Sequence, residues 1–308
     1  MAQLITRIIA LYHYVNDELS DPRTSDYPMM KNPLKLLILL GLYLYFVLEL
    51  GPKIMEKRKP FNLERILIVF NVAQIAICSY LLISAMIVLI SVRHNWLCQP
   101  LDYSSSPNSL HIVKLVYYYF LTKVLDLLDT VFFVLRKKNT QISFLHVYHH
   151  GGMLVATWIG VKYLPGGHNV TLGVVNAFVH VAMYSYYLLS SLSFKYKNNL
   201  WWKKHITQLQ LIQFLILTVH YLLLFFIDCD FPKFTAYFMV PQNIFMLAMF
   251  GDFYYRAYVS PKATPAEVKN SPDKANHVNG NFNAYFEALK VNLDEEDYGE
   301  KVEDHKQK

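Results

Sequence analysis

The chain has 308 residues, of which 54% are hydrophobic, 15% aromatic and 17% charged, against about 25% charged in an ordinary soluble domain. The formal charge of +6 divides unevenly: the first 257 residues carry 22 bases and 13 acids, the last 51 carry 7 bases and 10 acids, so the body is strongly basic and the tail acidic. So apolar a body is not a typical water-soluble protein, nothing in it points to nucleic acid, and three cysteines without a Cys-x-x-Cys pair leave room for one bridge but for neither a disulfide framework nor a cysteine zinc site.

The N-terminal stretch Leu4 to Val15 has no basic start or cleavage site of a signal peptide. It is interrupted by Arg7 and is too short to span a bilayer, so an interfacial helix is expected. Seven apolar runs follow, each near the length of about 20 residues that a spanning helix needs. They lie near Pro33 to Leu50, Ile66 to Val92, Leu110 to Leu135, Ile142 to Val161, Val170 to Leu192, Ile206 to Ile227 and Phe234 to Tyr255. From Tyr258 the chain is polar and reads as disordered or loosely helical, with scattered apolar residues between Phe282 and Leu289. The predicted organisation is a lumenal segment 1–32, an all-α integral membrane domain of seven transmembrane helices over 33–257, and a cytosolic tail 258–308. Buried helices of a soluble α-protein are the competing reading.

Lys and Arg in short loops stay on the cytoplasmic side. Lys53, Lys57, Arg58, Lys59 and Arg65 follow the first run, Arg136, Lys137 and Lys138 the third, and Lys195, Lys197, Lys203 and Lys204 the fifth, while Arg256 closes the seventh. The opposite connectors hold one base each: Arg93, Lys162 and Lys233. The N-terminus is therefore expected outside or in a lumen and the tail in the cytosol. Cys98, Cys229 and the sequon Asn169-Val170-Thr171 all fall in non-cytosolic connectors. There Cys98 and Cys229 form either a bridge or two free thiols, and the sequon lies close to the bilayer.

Ionisable side chains at membrane depth are costly and mark a protected interior. His146, His149 and His150 share one face of the fourth run, because residues three and four apart lie together on a helix. The third run contributes Lys123, Asp126 and Asp129. Asp126 is placed to neutralise Lys123, and Asp129 to orient a histidine ring; a packing salt bridge is the plainer reading. The fifth run adds Asn176 and His180, then Met183, Tyr184, Tyr186 and Tyr187. The sixth adds Thr207, Gln210 and Gln213 on one stripe, which interhelical hydrogen bonding would also explain. His220, Asn71 and Gln74 read as structural. Polar groups at a common depth on successive helices suggest a reactive chamber.

Two chemistries compete for it. Imidazoles ligate metals, and His-x-x-His-His occurs in membrane di-iron desaturases and hydroxylases, which need roughly eight imidazoles; three suffice for a zinc site. A neutral imidazole also serves as nucleophile or general base near pH 7. A seven-helix transporter or receptor with inward histidines is a third class.

Four ordered motifs bear on the choice. They are Lys123-x-x-Asp126-x-x-Asp129-Thr130, His146-Val-Tyr-His149-His150, Asn176-x-x-x-His180-x-x-Met183-Tyr184-x-Tyr186-Tyr187 and Thr207-x-x-Gln210-x-x-Gln213. In order and spacing they resemble those of the very-long-chain fatty acid elongases, the ELO family, and the likeness runs from about residue 30 through Gly51-Pro52 and Arg58-Lys59-Pro60-Phe61 to about Tyr258. Asp126 stands where many members carry Glu. The resemblance implies a condensing enzyme of the endoplasmic reticulum that joins acyl-CoA to malonyl-CoA and releases CO₂ and CoA. It implies six of seven helices around an acyl tunnel, no metal or redox cofactor, a lumenal cysteine pair, and ketoacyl-CoA reductase and hydroxyacyl-CoA dehydratase as partners in the cycle; a homo-oligomer is left open.

In that chemistry His149 would take the acyl group, His146 and His150 would position it, and His180 with Asn176 would stabilise the malonyl-derived enolate, with Asp129 in the same catalytic set. Lys123, Asp126, Tyr184, Tyr187, Gln210 and Gln213 are the substrate-binding candidates, and Arg136, Lys137, Lys204 and Arg256 stand at the mouth where CoA phosphates would dock. His305 replaces one lysine of a di-lysine retrieval signal.

Overall fold

The computed structural model describes residues 1–192 and 200–260, and the described residues form helices and turns without a strand. Eight helices matter here: α1 Ala2–His13, α2 Leu34–Met55, α3 Glu64–Ser91, α4 Pro107–Leu135, α5 Phe144–Tyr163, α6 Val170–Leu192, α7 Leu200–Phe226 and α8 Phe234–Tyr258. The expectations for Lys195, Lys197, the Phe282 to Leu289 segment, His305 and the rest of the tail beyond residue 260 fall outside the described residues.

Five helices (α2, α3, α6, α7 and α8) are long and apolar enough to cross a membrane. Helices α4 and α5 have the length, at 29 and 20 residues, but α4 carries Lys123, Asp126 and Asp129 and α5 carries three histidines. The polar cargo that defines the site is what lowers their hydropathy. Helix α7 begins at Leu200, six residues ahead of the expected Ile206, so Lys203 and Lys204 ride on its first turns and not on a connector. Helix α1 presents Leu4, Ile5, Ile8 and Ile9 outward.

Local sequence explains the helix ends. Ser106 accepts from the Ser109 amide and Pro107 occupies the first helical position, which starts α4. Ser143 does the same for α5 through the His146 amide at 3.0 Å, one turn before the histidines. Helix α2 widens into a π-turn at Phe46–Leu50. Just beyond it, a Cβ on Gly51 would lie 2.6 Å from Val134 and 2.8 Å from the Phe46 carbonyl, so only glycine lets α2 cross α4 this closely.

Two apolar clusters hold the site from either side. Leu36, Tyr43 and Val47 of α2 pack with Phe120 and Leu127 of α4 and Leu154 and Trp158 of α5, while Leu81, Val88 and Leu89 of α3 pack with Leu115 and Tyr119 of α4. At one end of the bundle Cys98 and Cys229 form a disulfide, Cα to Cα 5.6 Å, that joins the α3–α4 and α7–α8 connectors. The chain before α2 is bound at the same end. Arg23 pairs with buried Asp21 at 2.6 Å and donates to the Asp102 and Ser104 carbonyls and to Ser109 Oγ. Trp158 Nε1 and Lys162 Nζ donate to the carbonyls of Met29 and Met30, both at 2.8 Å. The opposite end carries the basic connectors.

Candidate active site

Helix α4 supplies the charged floor of the site. Lys123, Asp126 and Asn176 are each 3% exposed. Lys123 Nζ donates to Asp126 Oδ2 at 2.8 Å and to Asn176 Oδ1 at 2.9 Å, and the Tyr119 hydroxyl donates to the same Asn176 oxygen at 2.9 Å. Asn176 Nδ2 reaches Gln213 Oε1 at 3.4 Å. A buried ion pair persists only when its remaining hydrogen-bonding capacity is met, and here α3, α4, α6 and α7 each contribute to meeting it.

Gln74 of α3 donates to Asp126 Oδ1 at 2.7 Å and to the Tyr184 hydroxyl oxygen at 3.2 Å. Tyr184 Oη in turn lies 3.0 Å from Asp126 Oδ1 and 2.8 Å from Asp129 Oδ2. Two expectations change. Gln74 belongs to the site and is no isolated packing residue, and Asp129 meets a tyrosine and not a histidine. The site carboxylate that faces an imidazole is Asp126, 3.8 Å from His180 Nδ1.

The α5 histidines form one group. The ring centroids of His146 and His150 are 4.1 Å apart and those of His149 and His150 5.7 Å, with His149 meeting Phe214 of α7 edge-on at 6.3 Å. His146 Nε2 is held at 3.0 Å by Thr130, whose hydroxyl also bonds Tyr43 of α2 at 2.8 Å. The tether fixes His146, whereas the buried Nδ1 atoms of His150 and His180 have no hydrogen-bond partner among the described residues. Gln210 points its amide at Met183 Sδ, 3.7 Å away, and the Tyr187 ring packs against Tyr184 and Tyr186. Among the described residues no group of three His, Cys, Asp or Glu side chains is arranged to hold a metal ion.

The basic residues expected at a CoA mouth are less uniform. Lys137 Nζ donates to the Glu56 carbonyl at 3.1 Å and Arg256 Nε to Asp252 at 2.9 Å, so both have protein partners. Arg136 caps the end of α4 and Lys204 lies on the second turn of α7. Tyr119, Thr130 and Tyr43 are supports that helical spacing alone does not single out; of the three, only Thr130, beside Asp129 in its motif, is marked in the sequence. On the disulfide side of Tyr119 an apolar pocket between α3, α4 and α6 is lined by Leu81, Ala85, Val88, Leu115, Val170 and Gly173.

The family model described as GNS1/SUR4, ELO, matches residues 28–266, which takes in every helix of the site. The chain belongs to the ELO family. Among its relatives, very long chain fatty acid elongase 7 of Drosophila melanogaster is 42% identical over 276 residues, covering 89% of this chain and 82% of the relative. Elongase 7 of Rattus norvegicus is 39% identical over 280 residues, with 90% and 99% covered. Elongase 1 of Homo sapiens is 38% identical over 267 residues, with 86% and 95% covered. The ELO match and the site therefore occupy the same stretch of chain.

Proposed function

We propose that this chain is the condensing enzyme of fatty acid elongation, joining a long-chain acyl-CoA to malonyl-CoA to give a 3-ketoacyl-CoA two carbons longer, with CO₂ and CoA released. The observation that carries it is the group of α5 imidazoles set against the buried Lys123–Asp126–Asn176 network, in a chain whose relatives bear the name very long chain fatty acid elongase. Those names speak against the metal-dependent lipid oxidase and the seven-helix transporter or receptor.

In the mechanism, His149 attacks the thioester carbon and becomes an acyl-imidazole while its proton passes to the departing CoA sulfur. His146, tethered by Thr130, and His150 fix its position. Loss of CO₂ from malonyl-CoA leaves an enolate, whose charge His180, Asn176 and Lys123 stabilise in a site already polarised before the reaction. The enolate carbon attacks the acyl carbon and frees His149. The apolar pocket beyond Tyr119 accepts part of the acyl chain, as the far end of a tunnel within six of seven membrane helices. Arg136, Lys137, Lys204 and Arg256 neutralise CoA phosphates. No metal or redox cofactor enters this scheme. The placement that suits it is the endoplasmic reticulum membrane with the disulfide end lumenal and the tail cytosolic, where a ketoacyl-CoA reductase and a hydroxyacyl-CoA dehydratase would take the product on.

Expression in a host with its own reductase and dehydratase tests the proposal by fatty-acid profiling. New acids two carbons longer, lost on His149→Ala, are expected; an unchanged profile with every acyl length supplied overturns it. Labelled acyl-CoA without malonyl-CoA should leave an adduct on the wild-type protein.

A further inference from the structure

The condensation proposed above consumes a proton: a neutral acyl-CoA and a malonyl carboxylate give neutral 3-ketoacyl-CoA, CO₂ and a CoA thiol. The methylene hydrogens of malonyl-CoA stay on the product, so the missing proton must come from the protein. We infer that Asp129, Tyr184, Asp126 and His180 form a relay that restores this proton once per turnover, an inference that rests on the condensing reaction itself.

Proton counting carries it. A tyrosine hydroxyl has one hydrogen to give and two lone pairs. Asp126 Oδ2 takes a hydrogen from Lys123 and Oδ1 one from Gln74, so Asp126 sits among donors, and the Tyr184 hydrogen pointing at Oδ1 across 3.0 Å completes the set. The 2.8 Å contact between Tyr184 Oη and Asp129 Oδ2 then needs a hydrogen of its own, because two bare acceptors repel. Asp129 is the group that can bring it. With Asp129 as a carboxylic acid, Tyr184 donates once and accepts twice, from Asp129 and Gln74, and its capacity is full.

That arrangement moves a proton by exchanging bonds without moving helices. The Asp129 O–H breaks as a new O–H forms on Tyr184, whose old hydrogen passes to Asp126. The proton arrives on Asp126 Oδ1, whereas the unpartnered His180 Nδ1 lies 3.8 Å from the other oxygen, Oδ2; a turn of the carboxyl group about its Cβ–Cγ bond with a small ring shift presents the proton to His180. His180 takes the proton on Nδ1 and gives its Nε2 hydrogen to the His149 nitrogen that leaves the acyl carbon, the sulfur having taken its own proton from His149. Asp129, left as a carboxylate, is recharged from water, being more exposed than Asp126 and one turn nearer the basic end of the bundle. The charged and titratable groups that face the relay are Tyr43 on α2, Cys78 on α3, Tyr119 and Lys123 on α4, His146 and His149 on α5 and Tyr187 on α6. Asp129 touches no substrate in this scheme and acts through Tyr184.

The test uses purified full-length protein in lipid nanodiscs with acyl-CoA and malonyl-CoA, following kcat, KM, the pH profile and the solvent deuterium isotope effect. Asp129→Asn should lower kcat by about 100-fold, the lower end of what one general acid contributes, with KM for both substrates unchanged, an altered pH profile and a larger isotope effect. Tyr184→Phe should do the same, and Asp129→Glu should recover most of the rate. Wild-type kcat, pH profile and isotope effect in Asp129→Asn and Tyr184→Phe overturn the relay, as does a loss confined to KM. A wild-type protein that releases no CO₂ from malonyl-CoA when acyl-CoA is present sinks the condensing reaction first, a separate result from normal CO₂ release by both variants.

Discussion

The imidazoles of His168 and His220 stack at a centroid distance of 3.6 Å, 5° from parallel, with each Nε2 3.1 Å from the other residue's backbone carbonyl. The pair ties the turn before α6 to α7 and lies beside Phe231. His220→Ala strips a partner from a buried polar group, which costs about 1–3 kcal/mol. The expected outcome is a lower melting temperature with unchanged kcat in the protein that remains folded; a lost kcat at unchanged stability would place His220 in the chemistry.

Breaking the Lys123–Asp126 pair should be harsher than removing it. Lys123→Met alone leaves a carboxylate uncompensated, as Asp126→Asn leaves an ammonium, each destabilising by about 3–5 kcal/mol. The double variant should lose less than the sum, because neither charge is stranded. Thermal denaturation of all four proteins in one detergent measures the coupling; strict additivity counts against a paired role.

Product length should respond to Gly173. A Cβ there would come no closer than 3.9 Å to the Tyr119 ring, ordinary contact, and because Gly173 lines the apolar pocket the further carbons of a larger side chain are expected to take up its space. Gly173→Leu is expected to shift the longest product down by one or more two-carbon steps while the rate on short acyl-CoA persists. Chromatography of the fatty acids decides it, and an unaltered distribution would disconnect this pocket from the acyl chain.

His94 makes the disulfide end acid-sensitive. Burial, with His220 nearby, lowers its pKa to about 4, against about 6.5 in an unfolded chain. Between those values the unfolded state binds more protons. The stability from a neutral His94 is therefore whole above about pH 6.5 and is lost as the pH falls toward 4. Melting temperatures of wild type and His94→Gln at pH 7.5 and 5 should show a smaller acid loss in the variant.

Reduction of the Cys98–Cys229 bond releases a closure of 131 residues. The chain-entropy argument gives up to about 5 kcal/mol for a closure of this size. Cys98→Ser with Cys229→Ser should melt at a lower temperature, and the wild type should descend to meet it in dithiothreitol.

How far the site could be read from sequence depended on helical spacing. Lys123, Asp126 and Asp129 recur every three residues on α4, and the α5 histidines at three and four, so their shared faces follow from the period of a helix. Gln74 shares an otherwise mostly apolar helix with Asn71 alone as a buried amide, and only packing of α3 against α4 brings it to Asp126. Tyr119 looks like one of several aromatics until Asn176 is set opposite its hydroxyl. The Asp129 side chain was aimed at the wrong partner because spacing states which face a residue occupies, and distances between helices state whom it meets. His168 sits in a glycine-flanked turn without helical period, so its match with His220 left no trace along the chain.

The belt formed by Arg23, Met29 and Met30 bears on anyone who trims this protein for expression or crystal growth. A cut just before α2 looks harmless, since it spares every site residue, but it would leave Trp158 and Lys162 on α5 without the carbonyls that hold them, and Ser109 at the start of α4 without its guanidinium. Those are the two helices that carry the charged floor and the histidines. A shortened version is therefore expected to behave as a loosened enzyme, whereas an affinity tag placed ahead of α1 stays clear of the belt and leaves both helices in register.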